Sequence, residues 1–226
     1  MHDRSVSRAA AMLYLIPTIL GPFSLVYVHA RVWVEGDAAA TAARVLASES
    51  LVRAGAAASV VIVLAEIALC GALFRLFEGV SVTGARVATY ARLTMTVLQA
   101  LNIALPLTAL ALARSRVGAF DRCVLLLFEG EALIVRVWEC CFALHLLVLG
   151  ALVFRCGFIR RAFGVGLVIA ALGYGLEGVG AIVAPESRAA FAAIVAVTAL
   201  VGELPFVFAL LRAGFGRGRD AAVAAG

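Results

Sequence analysis

The sequence predicts an all-α integral membrane helical bundle, and three observations carry that prediction. Of 226 residues, 64% are apolar and 15% charged, whereas soluble domains run at about 45–50% and about 25%. Mean hydropathy is +1.07. The apolar residues also gather in six runs, each long enough to cross a hydrocarbon core of about 30 Å, which takes roughly 20 helical residues. A water-soluble globule is excluded, because only lipid accepts helices that are apolar all round.

The elements follow in order. After an N-terminal segment, 1–8, the first span covers 9–28. Pro17 and Gly21-Pro22 interrupt it, and Val28-His29-Ala30 is a poor cleavage site, so it reads as a span and not as a removed leader. Next comes GDAAATAARVLASESLVR, Gly36 to Arg53. Asp37 is placed to N-cap a short interfacial amphipathic helix there, with Val45, Leu46 and Val52 on the outer membrane surface or over a cavity mouth. Spans two and three take 55–74 and 93–113. The connection 114–131 ends in an apolar turn, which reads as a second outer helix and a candidate seventh membrane-embedded element. Spans four to six take 132–154, 162–183 and 190–211, completing one domain over 9–211. The remaining 212–226 is rich in Gly, Ala and Arg and reads as a disordered basic tail.

All 19 basic residues are arginine, and the net charge is +5. With so much alanine and glycine, this points to a GC-rich bacterial genome. With spans at these positions, eleven arginines fall on the side of the termini, seven on the other and one, Arg136, within a span. The basic-residue rule then puts both termini in the cytoplasm of a bacterial inner membrane. A basic excess in such a chain reports orientation and anionic lipid, and no RNA-binding or zinc-finger pattern is present, so nucleic acid is not an expected partner. The five cysteines form no C-x-x-C pair, which supports neither a disulfide framework nor a metal cluster. No metal or cofactor is expected. The letters G-Y-G-L-E-G at Gly173 to Gly178 lie inside a span with no strand before them, so they indicate close helix packing and not a nucleotide loop.

Three blocks carry a family resemblance: GPFS at Gly21 to Ser24, the Gly36 to Arg53 segment, and LHLLVLGALVFRCGFIRRAFGVGLVIAALGYG from Leu144 to Gly175. Together they resemble the bacterial multi-pass membrane proteins grouped as domain of unknown function 4386, over about Arg8 to Leu211. The resemblance implies a six- or seven-helix membrane domain and assigns no catalytic residue. Glu66, His145, Arg155 and Gly157 fall where such a protein is expected to carry an acid, a histidine, an arginine and a glycine. The fourth span departs from the family by being more polar, with Arg136, Glu139 and Cys140-Cys141.

Polar residues gather at mid-span: Glu66, Gln99, Asn102, Glu139, His145, Glu177 and Glu203. A charge at the centre of a span costs roughly 2.5–3.5 kcal/mol on insertion scales, so these side chains are expected to face the bundle interior, to pair, or to be uncharged. Arg136 and Glu139, three apart, are placed to pair. His145 lies on another side of the helix from Glu139 and must meet a different neighbour. With Arg136 as the one arginine inside a span, at least two carboxyls lack a cation, and a dry environment then favours the neutral, proton-donating acid.

Two functions follow. The first is a general acid–base enzyme acting on a lipophilic, isoprenoid-type molecule, a cyclase or isomerase with terpene-cyclase-like chemistry. Its candidate catalytic residues are Glu66 and Glu203, then Glu139, Glu177 and His145. Gln99, Asn102, Arg136, Trp138 and Tyr174 would line the pocket. The alternative is a non-enzymatic protein: a proton-linked transporter, a lipid-binding protein or an accessory subunit, since intramembrane carboxyls equally mark proton pathways. The expected partners are the lipid bilayer, a lipophilic small molecule and a second copy of the chain.

Overall fold

The computed structural model of the protein describes residues 3–216. Its elements are α1 (Arg4–Gly21), a π-helical segment (Pro22–Tyr27), α2 (Val28–Val32), α3 (Ala38–Ala47), α4 (Glu49–Phe77), α5 (Val82–Asn102), α6 (Ala104–Arg114), α7 (Asp121–Arg155), α8 (Arg161–Val183) and α9 (Arg188–Phe215). Six helical stretches are long and apolar enough to cross a membrane: Arg4–Val32, Glu49–Phe77, Val82–Arg114, Gly118–Arg155, Arg161–Val183 and Pro185–Phe215. The protein is an all-α membrane bundle.

Packing follows chain order. α1 meets α4, α4 meets α5, α5 meets α7, α7 meets α8, α8 meets α9, and α9 returns to α1. The spans therefore close into a ring whose interior holds Tyr14, Leu69, Phe142, Leu146, Phe206 and Leu210. Leu64, Leu133, Leu172, Val197 and Phe208 point outward and are well exposed, as lipid-facing side chains should be. Glycines let α8 approach its neighbour. A Cβ on Gly178 would meet the Arg136 carbonyl oxygen and Cys140 Sγ, both at 2.7 Å, and one on Gly150 would meet the Gly164 carbonyl oxygen at 2.8 Å.

Prolines break two spans at predictable places. Pro22 has no N–H to return to Thr18, and the helix widens to π geometry over Pro22–Tyr27. Pro106 cannot bond the carbonyl four residues back, that of Asn102, and the third span breaks between α5 and α6 at that point. Asp37 caps α3 as expected, accepting from the Ala40 N–H at 2.9 Å. α3 lies across the end of α6 and the start of α7. There Val45 and Val52 are buried with Val32, Leu110, Val124 and Phe128, and Leu46 packs against them.

The helices run longer than the spans read from sequence, because arginines and short polar turns still continue the helix: the first stretch is Arg4–Val32 and the third Val82–Arg114. Residues 121–131 are not a separate outer helix but the first turns of α7, which is continuous through Arg155. Nothing in Gly130-Glu131 stops it. α9 continues to Phe215, so the expected tail loses its first residues to helix; its remainder, 217–226, lies outside the described residues.

Candidate functional site

Glu66 on α4 precedes the end of its helix by eleven residues, and Arg92 on α5 follows the start of its helix by ten. The two helices are joined by a tight turn, so at 1.5 Å per residue both groups lie about 15–17 Å from the same bundle end. Arg92 is 1% exposed. Its Nε and Nη2 donate to the two carboxylate oxygens of Glu66, the second at 3.0 Å. Nη1 donates to His145 Nε2 on α7 at 2.8 Å, and the guanidinium lies 4.7 Å over the Tyr14 ring. His145 Nδ1 meets the Ala88 carbonyl oxygen at 2.8 Å. A carbonyl only accepts and a guanidinium only donates, so the proton sits on Nδ1 and the Nε2 lone pair accepts from Arg92.

This corrects the sequence reading in one important respect. Arg92 falls within the connection before span three when the span is started at Leu93, yet it is a buried cation at mid-bundle. Glu66 is therefore fully paired. A lone arginine there would cost several kcal/mol, and the bidentate contact with Glu66 offsets that cost.

The second centre is Arg136 between two carboxylates. Its Nη1 donates to Glu139 Oε2 at 2.9 Å, the expected pair on α7, and also to Glu177 Oε1 on α8. The third is Glu203 on α9, whose Oε1 accepts from the Tyr174 hydroxyl at 2.8 Å. Tyr174 packs against Phe142 (4.9 Å between ring centres) and Trp138 (6.2 Å). Glu139 and Glu177 thus share Arg136, while Glu66 and Glu203 lie in one neighbourhood. Tyr14 and Phe142 sit against the Arg92 guanidinium, Phe142 also contacts Tyr174, and Glu203 feels the charges of Arg92 and Glu66. Its own side-chain partner is the neutral Tyr174 hydroxyl.

Two clefts flank the first centre along the bundle: one ends about 10 Å short of it, and the other is lined by Arg92 and His145 themselves. The one on the side of α3, termed the outer cleft, is bounded by the widened first span, α4, the break in the third span and α7. It holds Gln99 and Asn102, both candidate pocket residues, with Ser24 and Ser59. His29 and Glu131 also line it, 3.3 Å apart. The inner cleft, about 220 Å³, is apolar except at its end, where Arg92, His145 and Thr89 line it. Ser59 and Gln99 lie two helical turns, about 10 Å, from Glu66 and Arg92 along their helices. Between them Thr96 Oγ1 donates to the Arg92 carbonyl oxygen at 2.8 Å.

Sequence reasoning missed Arg92, Tyr14 and the His29–Glu131 pair. The first was legible from symmetry about the turn between α4 and α5. The last was hidden because Glu131 had been placed in a connection and His29 at a helix end. Comparison with curated proteins and with solved structures gives no match. The model of one family, described as a domain of unknown function, matches residues 9–214, in agreement with the resemblance carried by the three sequence blocks. The chain belongs to the domain of unknown function 4386 family.

Proposed function

We propose that this protein is a proton-linked membrane transporter in which Glu66, Arg92 and His145 form the proton-accepting centre. One observation carries the reading: a cleft from one end of the bundle is lined by Arg92 and His145, and a second, from the opposite end, stops about 10 Å from the same ion pair. Buried ionisable groups of this kind mark proton routes. A proton reaching Glu66 removes the charge that holds Arg92. The guanidinium is then left with His145 Nε2, the Tyr14 face and the nearby Glu203 carboxyl, and the α4–α5–α7 contact has two arrangements that differ by one proton. Both termini lie on the cytoplasmic side of a bacterial plasma membrane in this reading. With Arg92 moved into the bundle, the arginine balance is ten to seven and still favours that orientation.

The test is proton uptake into liposomes carrying the full chain and an internal pH dye, with potassium and valinomycin clamping the potential. Wild type is expected to dissipate an imposed pH gradient at least tenfold faster than Glu66→Gln. Equal rates in the two proteins, or wild type no faster than empty liposomes, overturn the reading.

The Glu203–Tyr174 contact beside Trp138 and Phe142 favours a second reading, acid–base catalysis on a lipophilic, isoprenoid-type molecule. An acid held by a phenol against aromatic faces suits protonation of an alkene. Mass spectrometry of protein purified in mild detergent should then show one enriched lipophilic compound that Glu203→Gln no longer processes. Absence of any enriched compound removes this reading.

A further inference from the structure

The outer cleft carries an unmet demand for a ligand. Gln99 and Asn102 are 7% and 6% exposed, yet Gln99 Nε2 and Asn102 Oδ1 have no hydrogen-bond partner among the described residues. A buried donor or acceptor left unpaired costs about 1–3 kcal/mol. Both groups line the cleft, and two proline-induced departures from regular helix form its walls. Asn102 is already oriented by its other end, where Nδ2 reaches the Glu131 carbonyl oxygen at 3.5 Å.

The charge of the cleft selects the ligand's chemistry. No arginine lines it, and its ionisable side chains are Glu131 and His29. His29 Nδ1 engages only one carboxylate oxygen, Oε2. The surrounding surface is apolar and aromatic, with the Phe128 ring 5.8 Å from His29. Apolar walls with a few convergent polar groups are the usual form of a small-molecule site. We infer that the outer cleft binds a small amphiphilic amine: an ammonium group paired with Glu131 and Asn102 Oδ1, and an oxygen accepting from Gln99 Nε2, carried on a compact apolar body. That this amine is the species exchanged against the proton rests on the function proposed above; the binding itself does not.

The test is equilibrium binding to the full chain in lipid nanodiscs. 2-Amino-1-phenylethanol is the probe, and 1-phenylethane-1,2-diol, which replaces the ammonium by a hydroxyl, is the control. The amine is expected to bind at least tenfold more tightly than the diol. Glu131→Gln should abolish that preference. Gln99→Leu should weaken amine binding at least threefold while raising the unfolding temperature, since it removes an unpaired buried donor; this variant keeps the test valid if Glu131→Gln folds poorly. Equal binding of amine and diol, or unchanged amine binding in Gln99→Leu, overturns the inference. Binding is an equilibrium reading and proton uptake a rate, so either result can fail without the other.

Discussion

Arg92 shows how one side chain can decide what a membrane site is. Its three nitrogens are all engaged, two by Glu66 and one by His145, and an aromatic ring covers its face. Removing one member of such a pair leaves the other charge buried and alone, which costs about 3–5 kcal/mol. Arg92→Leu should therefore lower stability by about that amount, read by SDS-induced unfolding in mixed micelles. Replacing both partners, Glu66→Leu with Arg92→Leu, should recover most of the loss, because two apolar side chains need no compensation. If the double variant is as unstable as the sum of the single ones, the pair is not the unit described here. At this scale the sequence was half legible. The acids, His145 and the Arg136–Glu139 pair could be read from spacing, since three residues along a helix bring side chains to one face. The pairing of Glu66 with Arg92 needed a second rule: in antiparallel helices joined by a tight turn, residues equidistant from that turn share a depth. The rule is only approximate for Arg136 and Glu177, nineteen and sixteen residues from the turn between α7 and α8, where the long arginine side chain spans the difference.

At the scale of the element, glycine and proline divide the labour. Glycine closes contacts: α8 approaches α7 so nearly that a Cβ at Gly178 has no room between the Arg136 carbonyl and Cys140. Gly178→Ala should push the helices apart and cost about 1–3 kcal/mol. It should also loosen the contact between Arg136 and Glu177, one residue away, which the same unfolding assay and a Glu177→Gln double-variant cycle would read. Additive losses would mean that the helix contact and the ion pair are independent. Proline opens space: Pro22 and Pro106 sit on either side of the outer cleft, and each frees a carbonyl four residues earlier. The prolines could be read as kinks from sequence. The cleft they bound could not, because it depends on two kinks in different spans facing each other across the ring.

For the whole molecule, the fold class and the number of spans were fixed by hydropathy alone, while the span ends were not. Window averages place a boundary at the first arginine, but the helix obeys backbone hydrogen bonding and continues until a turn stops it. The third span shows the consequence: starting it at Leu93 made Arg92 a loop residue and left Glu66 without a partner. The ring closure of α9 onto α1 was equally invisible, since it requires contacts between residues at opposite ends of the chain. The topology places the 78–81 and 156–160 turns on one side and α3 on the other. Cysteines introduced at Glu78 and Ala39, with the five native cysteines replaced, should accordingly be labelled from opposite faces of sealed vesicles. Labelling of both from one face would contradict the six-span arrangement.

In the proposed transport mechanism, two separate clefts lead toward the Glu66–Arg92–His145 centre from opposite faces of the membrane. Ser59 and Thr89 line one cleft each. In the cysteine-replaced chain, Ser59→Cys and Thr89→Cys can be exposed to a small membrane-impermeant methanethiosulfonate from either side of oriented vesicles. The account predicts reaction of Ser59→Cys only from the side of α3 and of Thr89→Cys only from the side of the termini. Modification of both from the same side, or of neither from any side, would contradict it.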